Sequence, residues 1–189
     1  MRRVAVLCAP RNSVYHTLPT VDVYDVLRDA RMFQGGMPIV AHPPCRAWSA
    51  YCAHQAKPLP GEKELGLWCC EMLKQCGGVL EQPAHSRLFE AGGLPLPPSG
   101  DAVLWSQQVD QWWWGDSRKK STWLCFSGIP RESVAVPYAL RATDTGDKRR
   151  WQVMSHNQRS ATPVAFAAWL VAIARASMKD GGEKGWACA

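Results

Sequence analysis

Two consecutive prolines, Pro43 and Pro44, follow the short apolar run Pro38-Ile39-Val40-Ala41. Neither a strand nor a helix continues through such a pair, because proline lacks the amide proton and fixes its own φ. The chain must leave any sheet at His42, and Cys45 falls on the turn just beyond. A short apolar run ended this way reads as a buried strand. The construction recurs: Arg3-Val4-Ala5-Val6-Leu7-Cys8 closes on Ala9-Pro10, and Val79-Leu80-Glu81 closes on Gln82-Pro83. Between the last two comes residues 62–76, where Leu65, Trp68, Cys69, Met72, Leu73 and Cys76 recur at helical spacing and Gly77-Gly78 supplies a stop.

Short apolar strands alternating with a helix predict an α/β fold, a single Rossmann-like sheet of reduced size flanked by helices. Ligands of open α/β sheets bind outside the carboxyl ends of the strands, which places Cys45 and Glu81 on one rim. Residues 21–25 suggest a second extended piece, and Thr122–Ser127 (TWLCFS) a further buried strand. Leu88 to Gly100, rich in Gly and Pro, reads as a loop, and Ala102 to Trp114 as apolar and aromatic. Trp112, Trp113 and Trp114 cannot all face one side of a strand, so at least one belongs to a core. Thr162 and Pro163 read as the cap and first position of a strong C-terminal helix. One domain is expected over residues 1–178, with an irregular excursion at 129–158 and a flexible tail at 179–189.

Among 189 residues, 47% hydrophobic, no apolar run reaches the roughly 18 needed to span a membrane. The first apolar run is shorter than the core of a secretory signal, and a cytoplasmic location is expected. The eight cysteines include no CxxC pair, and several sit within apolar periodic segments, which suits reduced thiols. His42, Cys45, Cys52 and His54 would be the residues for a zinc site, but a second close-spaced pair is missing and no metal is expected. A net charge of +6 and ten tryptophans suit an anionic partner with bases to stack on.

Cys45, on a rigid turn at a strand end, has the setting of a thiol that adds to an electrophilic carbon, although a lone cysteine is more often a small buried residue. Glu81, at the end of a buried strand, is expected to have its pKa raised by desolvation, as suits a proton donor near neutrality; a turn-capping surface glutamate is the alternative. Arg118, Lys119 and Lys120 form a basic turn open to phosphate contact or to simple solvation.

Taken in order, AHPPCRAWS, VLEQPAHSRLF and WGDSRKKSTWLCFSG resemble the cytosine-C5 DNA methyltransferases over about residues 38–128, with an echo at Arg159-Ser160-Ala161-Thr162-Pro163. Small phage-borne proteins of this kind occur within that broader family. The resemblance implies a methyltransferase-type sheet, with Cys45 adding to C6 of a pyrimidine and Glu81 serving N3. It places Lys120 where the family has an arginine near the base, Arg118 at a glutamine position, and Ser49 near the flipped nucleotide. Pro44, Arg46, Trp48, Gln82, Lys119 and Arg159 complete the expected contacts to substrate or DNA, with Trp48 lining the base pocket. A base acted on in this way must leave the duplex stack.

The family's donor is S-adenosylmethionine, held by a glycine-rich turn after the first strand. Here that turn reads Cys8-Ala9-Pro10-Arg11-Asn12-Ser13, without glycine, and Gln82 stands where the family has asparagine. Asp22 and Asp25, and further on Asp29, are the acids that would hold the donor's ribose or adenine. The span from Gly128 to Arg159 is too short for the usual target-recognition domain. The expected activity is modification of a pyrimidine, cytosine foremost, at C5 in DNA or a nucleotide, with a homodimer as one way of completing the site. The alternative is a non-catalytic DNA- or host-factor-binding protein on the same scaffold.

Overall fold

The computed structural model describes residues 1–49, 56–116, 119–137 and 161–179. Its centre is a six-stranded mixed sheet in the order β2-β1-β3-β4-β6-β5. The strands are β1 (Val4–Leu7), β2 (Val21–Val23), β3 (Ile39–Ala41), β4 (Gly78–Pro83), β5 (Leu104–Asp110) and β6 (Ser121–Ser127). The first four are mutually parallel, and β6 runs antiparallel to both β4 and β5. This is a mixed α/β fold with a Rossmann-like arrangement.

Helices cover both faces, which explains why β1 is apolar at every position. On one face Val4, Val6, Val40, Val79, Leu124 and Phe126 pack under the C-terminal helix through Phe166, Ala167, Leu170 and Val171. On the other, Ala5, Leu7, Ile39, Ala41, Leu80 and Cys125 meet Cys69, Cys70, Met72, Leu73 and Cys76. Those partners lie on α1 (Glu62–Cys76), whose bounds coincide with the periodic segment. Gly77, at φ 75°, ends the helix by donating its amide to the Leu73 carbonyl.

Three local expectations change. Leu88–Gly100 is not all loop, since Leu88–Ala91 forms a short helix, α2, whose Leu88 and Phe89 are fully buried. Their burial repays one helical turn that a four-residue periodicity could not announce. The C-terminal helix, α3, spans Val164–Arg175 with Pro163 as its cap and no side-chain cap bond, so Thr162 lies one position outside. Trp112–Trp114 sit in a 3-10 turn (Gln111–Trp114) rather than a strand, and Trp114 alone of the three is buried. Of the excursion expected at 129–158, only 129–137 is described, with a 3-10 turn at Arg131–Ser133. The tail beyond Lys179 lies outside the described residues. Among the described residues no helix is long and apolar enough to cross a membrane.

Candidate active site

The parallel pairing of β3 with β4 brings the candidate residues together. The register sets Ala41 against Leu80, so His42 and Glu81 are the next residues on neighbouring strands and lie level. Beyond His42 the prolines turn the chain, and Cys45 opens a 3-10 turn, Cys45–Ala47. Gln82, 1% exposed, locks that turn: its Nε2 donates to the Pro43 carbonyl and its Oε1 accepts from Ser86 Oγ at 3.0 Å. Gln82 thus braces the turn that carries Cys45.

Cys45 is exposed, whereas Cys69, Cys70, Cys76 and Cys125 are buried; all the described cysteines are free thiols. Surrounding protein, and then the negative charge of Glu81, push the Cys45 thiol above its ordinary pKa; a hydrogen bond from its own backbone, then Lys120 and Arg46, pull it down by less. Glu81 and Lys120 are therefore within electrostatic reach of the sulfur.

Glu81 corrects one expectation. Burial does push its carboxyl up, but the hydrogen bond and charge of His42, then Lys120 and Gln111, outweigh it and hold the pKa below the usual carboxylate value. His42 Nδ1 lies 3.0 Å from Glu81 Oε2, and Gln111 Nε2 donates to Oε1 at 3.2 Å. An ionised carboxylate only accepts, so Nδ1 carries the proton in that contact. On the far side of the ring, His42 Nε2 is 2.8 Å from the hydroxyl of Tyr15, which is 1% exposed. Gln111 Nε2 is also 3.0 Å from Thr122 Oγ1. A continuous polar chain, Tyr15–His42–Glu81–Gln111–Thr122, thus crosses the carboxyl ends of β3 and β4.

The remaining candidates divide. Lys120 Nζ reaches the Ala161 carbonyl at 3.2 Å, and its amide donates to Asp110 Oδ1 at 2.9 Å, which fixes the basic residue ahead of β6. Lys119 beside it is exposed, and Pro44 is half-buried. Arg46 is tied to the first turn of α1 by a 2.8 Å ion pair with Glu62. Trp48 belongs to the core rather than to an open pocket: it is 9% exposed, and its amide closes the 3-10 turn on the Cys45 carbonyl at 3.0 Å. Ser49 is half-buried and follows directly. Arg118, Arg159, Cys52 and His54 lie outside the described residues. No three metal-ligating side chains converge among the described residues.

Tyr15, Gln111 and Thr122 are members of the site that the sequence does not single out. His42 stands out there only as a metal ligand, although its place one residue before the prolines, level with Glu81, is the available signal.

The donor turn does not match the chemistry of S-adenosylmethionine. Cys8, at φ 61°, takes the left-handed conformation of a glycine, but its side chain packs 3.7 Å from the Cys69 sulfur. Ser13 caps a 3-10 turn, Val14–Thr17, that carries Tyr15 into the core. Asp22 is paired with Arg3. Asp25 accepts from the amides of Leu27 and Arg28 through one oxygen and pairs with His16 at 3.3 Å through the other. Both acids are thus engaged by the protein, and these residues do not fit a donor held through its ribose.

Set against protein-family models, curated proteins and solved structures, the chain matches none of them.

Proposed function

We propose that this chain modifies a pyrimidine base in DNA, cytosine foremost, through addition of the Cys45 thiolate to C6. What carries the reading is a solvent-exposed thiol on a proline-locked turn, in electrostatic reach of a carboxylate on the neighbouring strand end and of a lysine. Addition to C6 breaks the C5–C6 double bond and moves electron density toward N3 and C5. The N3-protonated form of cytosine accepts that density, and an ionised Glu81 favours this form by charge. The bound base in turn offsets the charge of Glu81, which favours the thiolate. Substrate binding and nucleophile activation are coupled through one carboxylate. An otherwise parallel sheet with one reversed strand next to its edge is compatible with a methyltransferase-type scaffold. No step is assigned to S-adenosylmethionine.

A second reading has its own support. Both Glu81 oxygens already have protein donors, and the Cys45 thiol is shifted toward its neutral form, as a scaffold that binds DNA without chemistry would tolerate. DNA containing 5-azacytosine separates the two, because after attack at C6 the ring nitrogen at position 5 takes a proton and the adduct accumulates without a methyl donor. The catalytic reading predicts an adduct that survives a denaturing gel and disappears in Cys45→Ser. Salt-sensitive DNA binding, equal in both proteins and without adduct, would establish the scaffold reading instead.

A further inference from the structure

We propose that His42, anchored by Tyr15, is the positioning residue that aims the Glu81 carboxylate at the base; the inference rests on the pyrimidine-modifying reading above. A glutamate at a strand end has several rotamers, and all but one have to be excluded if a carboxylate oxygen is to meet a ring edge in a fixed direction. Here the carboxylate is gripped from two sides by groups on different elements. His42, from the end of β3, reaches Oε2 at 3.0 Å, and Gln111, from the turn after β5, donates to Oε1 at 3.2 Å. Each carboxylate oxygen retains a further acceptor position for a base.

The imidazole is itself held. Its side chain is 10% exposed, its backbone amide donates to the Leu7 carbonyl at 3.0 Å, and the Tyr15 hydroxyl meets Nε2 at 2.8 Å. The phenol and imidazole rings pack with centroids 5.3 Å apart. Tyr15 arrives from the turn after β1, in place of any glycine-rich loop, so the segment that departs most from the family's donor turn supplies the anchor. A partner of this kind fixes which ring nitrogen carries the proton and where it points.

The test measures the rate of adduct formation on DNA containing 5-azacytosine, whose ring nitrogen at position 5 takes a proton after attack, for the wild type, His42→Ala, His42→Asn and Tyr15→Phe, with melting temperatures alongside. A misplacement of the order of 1 Å near a reacting centre costs about 100-fold. His42→Ala is expected to slow the adduct by about that factor. His42→Asn, whose amide nitrogen sits near the place of Nδ1, should recover most of the rate. Tyr15→Phe should slow it by less than His42→Ala, because the imidazole keeps Glu81. Since His42→Ala puts the fold at risk, the other two variants, which keep the packing, decide the matter. Wild-type rates in Tyr15→Phe and His42→Ala, or a His42→Asn protein that melts like the wild type but reacts as slowly as His42→Ala, would overturn the assignment. An absent adduct in the wild type overturns the underlying reading, and this inference falls with it.

Discussion

Gly66 offers a way to disturb Cys45 without touching any residue of the site. It lies on the buried side of α1, and a methyl group there would stand 2.5 Å from Trp48 Nε1 and 3.2 Å from both Trp48 Cε2 and Leu88 Cδ1. The first distance is far inside van der Waals contact, so in Gly66→Ala the indole must move. The Trp48 amide closes the turn on the Cys45 carbonyl, and its own carbonyl accepts from the Arg87 amide, so the displacement passes directly into the turn that carries Cys45. Overpacking of this kind costs about 1–3 kcal/mol. Alanine in place of a helical glycine returns up to about 1 kcal/mol. The net loss of stability is therefore small, about 0–2 kcal/mol. A shift of the thiol by about 1 Å, by contrast, costs on the order of 100-fold in rate. Urea unfolding and the rate of the azacytosine adduct, measured on the same preparation, give the two quantities. A Gly66→Ala protein that folds and reacts like the wild type would refute the claim that Trp48 holds Cys45 in place.

Three further outcomes are expected. Gln82→Ala removes the brace on Pro43 and should lower stability by about 1–3 kcal/mol in urea unfolding, because a buried carbonyl and the Ser86 hydroxyl lose their partner. The pKa of Glu81 is lower in the folded chain than in the unfolded one, so its contribution is present above the unfolded carboxylate pKa and is lost as pH falls through the folded value. The melting-temperature gap between wild type and Glu81→Gln should accordingly narrow below about pH 4, as calorimetry across pH would record. Iodoacetamide followed by peptide mass mapping should find Cys45 labelled well before Cys69, Cys70 and Cys125, with a rate that climbs with pH; Glu81→Gln should speed that labelling near pH 8 by removing the charge that disfavours the thiolate.

What could be read from the sequence were features written locally. The periodicity over residues 62–76 and the stop at Gly77 define α1, and the prolines define where β3 ends. Neighbouring parallel strands then make the nearness of Cys45 and Glu81 readable, since both follow strand ends. The sign of the Glu81 shift is not local. It depends on an imidazole 39 residues earlier and an amide 30 residues later, which only the strand register and the turn after β5 bring together. Desolvation is visible in an apolar neighbourhood, whereas the partner that outweighs it is not. Trp48 escapes the sequence for a related reason. Its spacing from Cys45 suits a pocket wall, but the space that receives it is made by Gly66 on α1, whose missing side chain acquires meaning only once the helix is packed. Tyr15 carries no signal at all, being one aromatic residue in a polar stretch.

The assignment of Cys45 as nucleophile can be tested without a methyl donor. Once Cys45 adds to C6, C5 becomes basic enough to take a proton from water, and elimination of the thiolate then exchanges the hydrogen at C5. DNA labelled with tritium at C5 of cytosine should release its label to water in the presence of the wild-type protein and not with Cys45→Ser. Release that persists in Cys45→Ser, or a wild-type protein that binds the DNA and releases no label, would contradict that assignment.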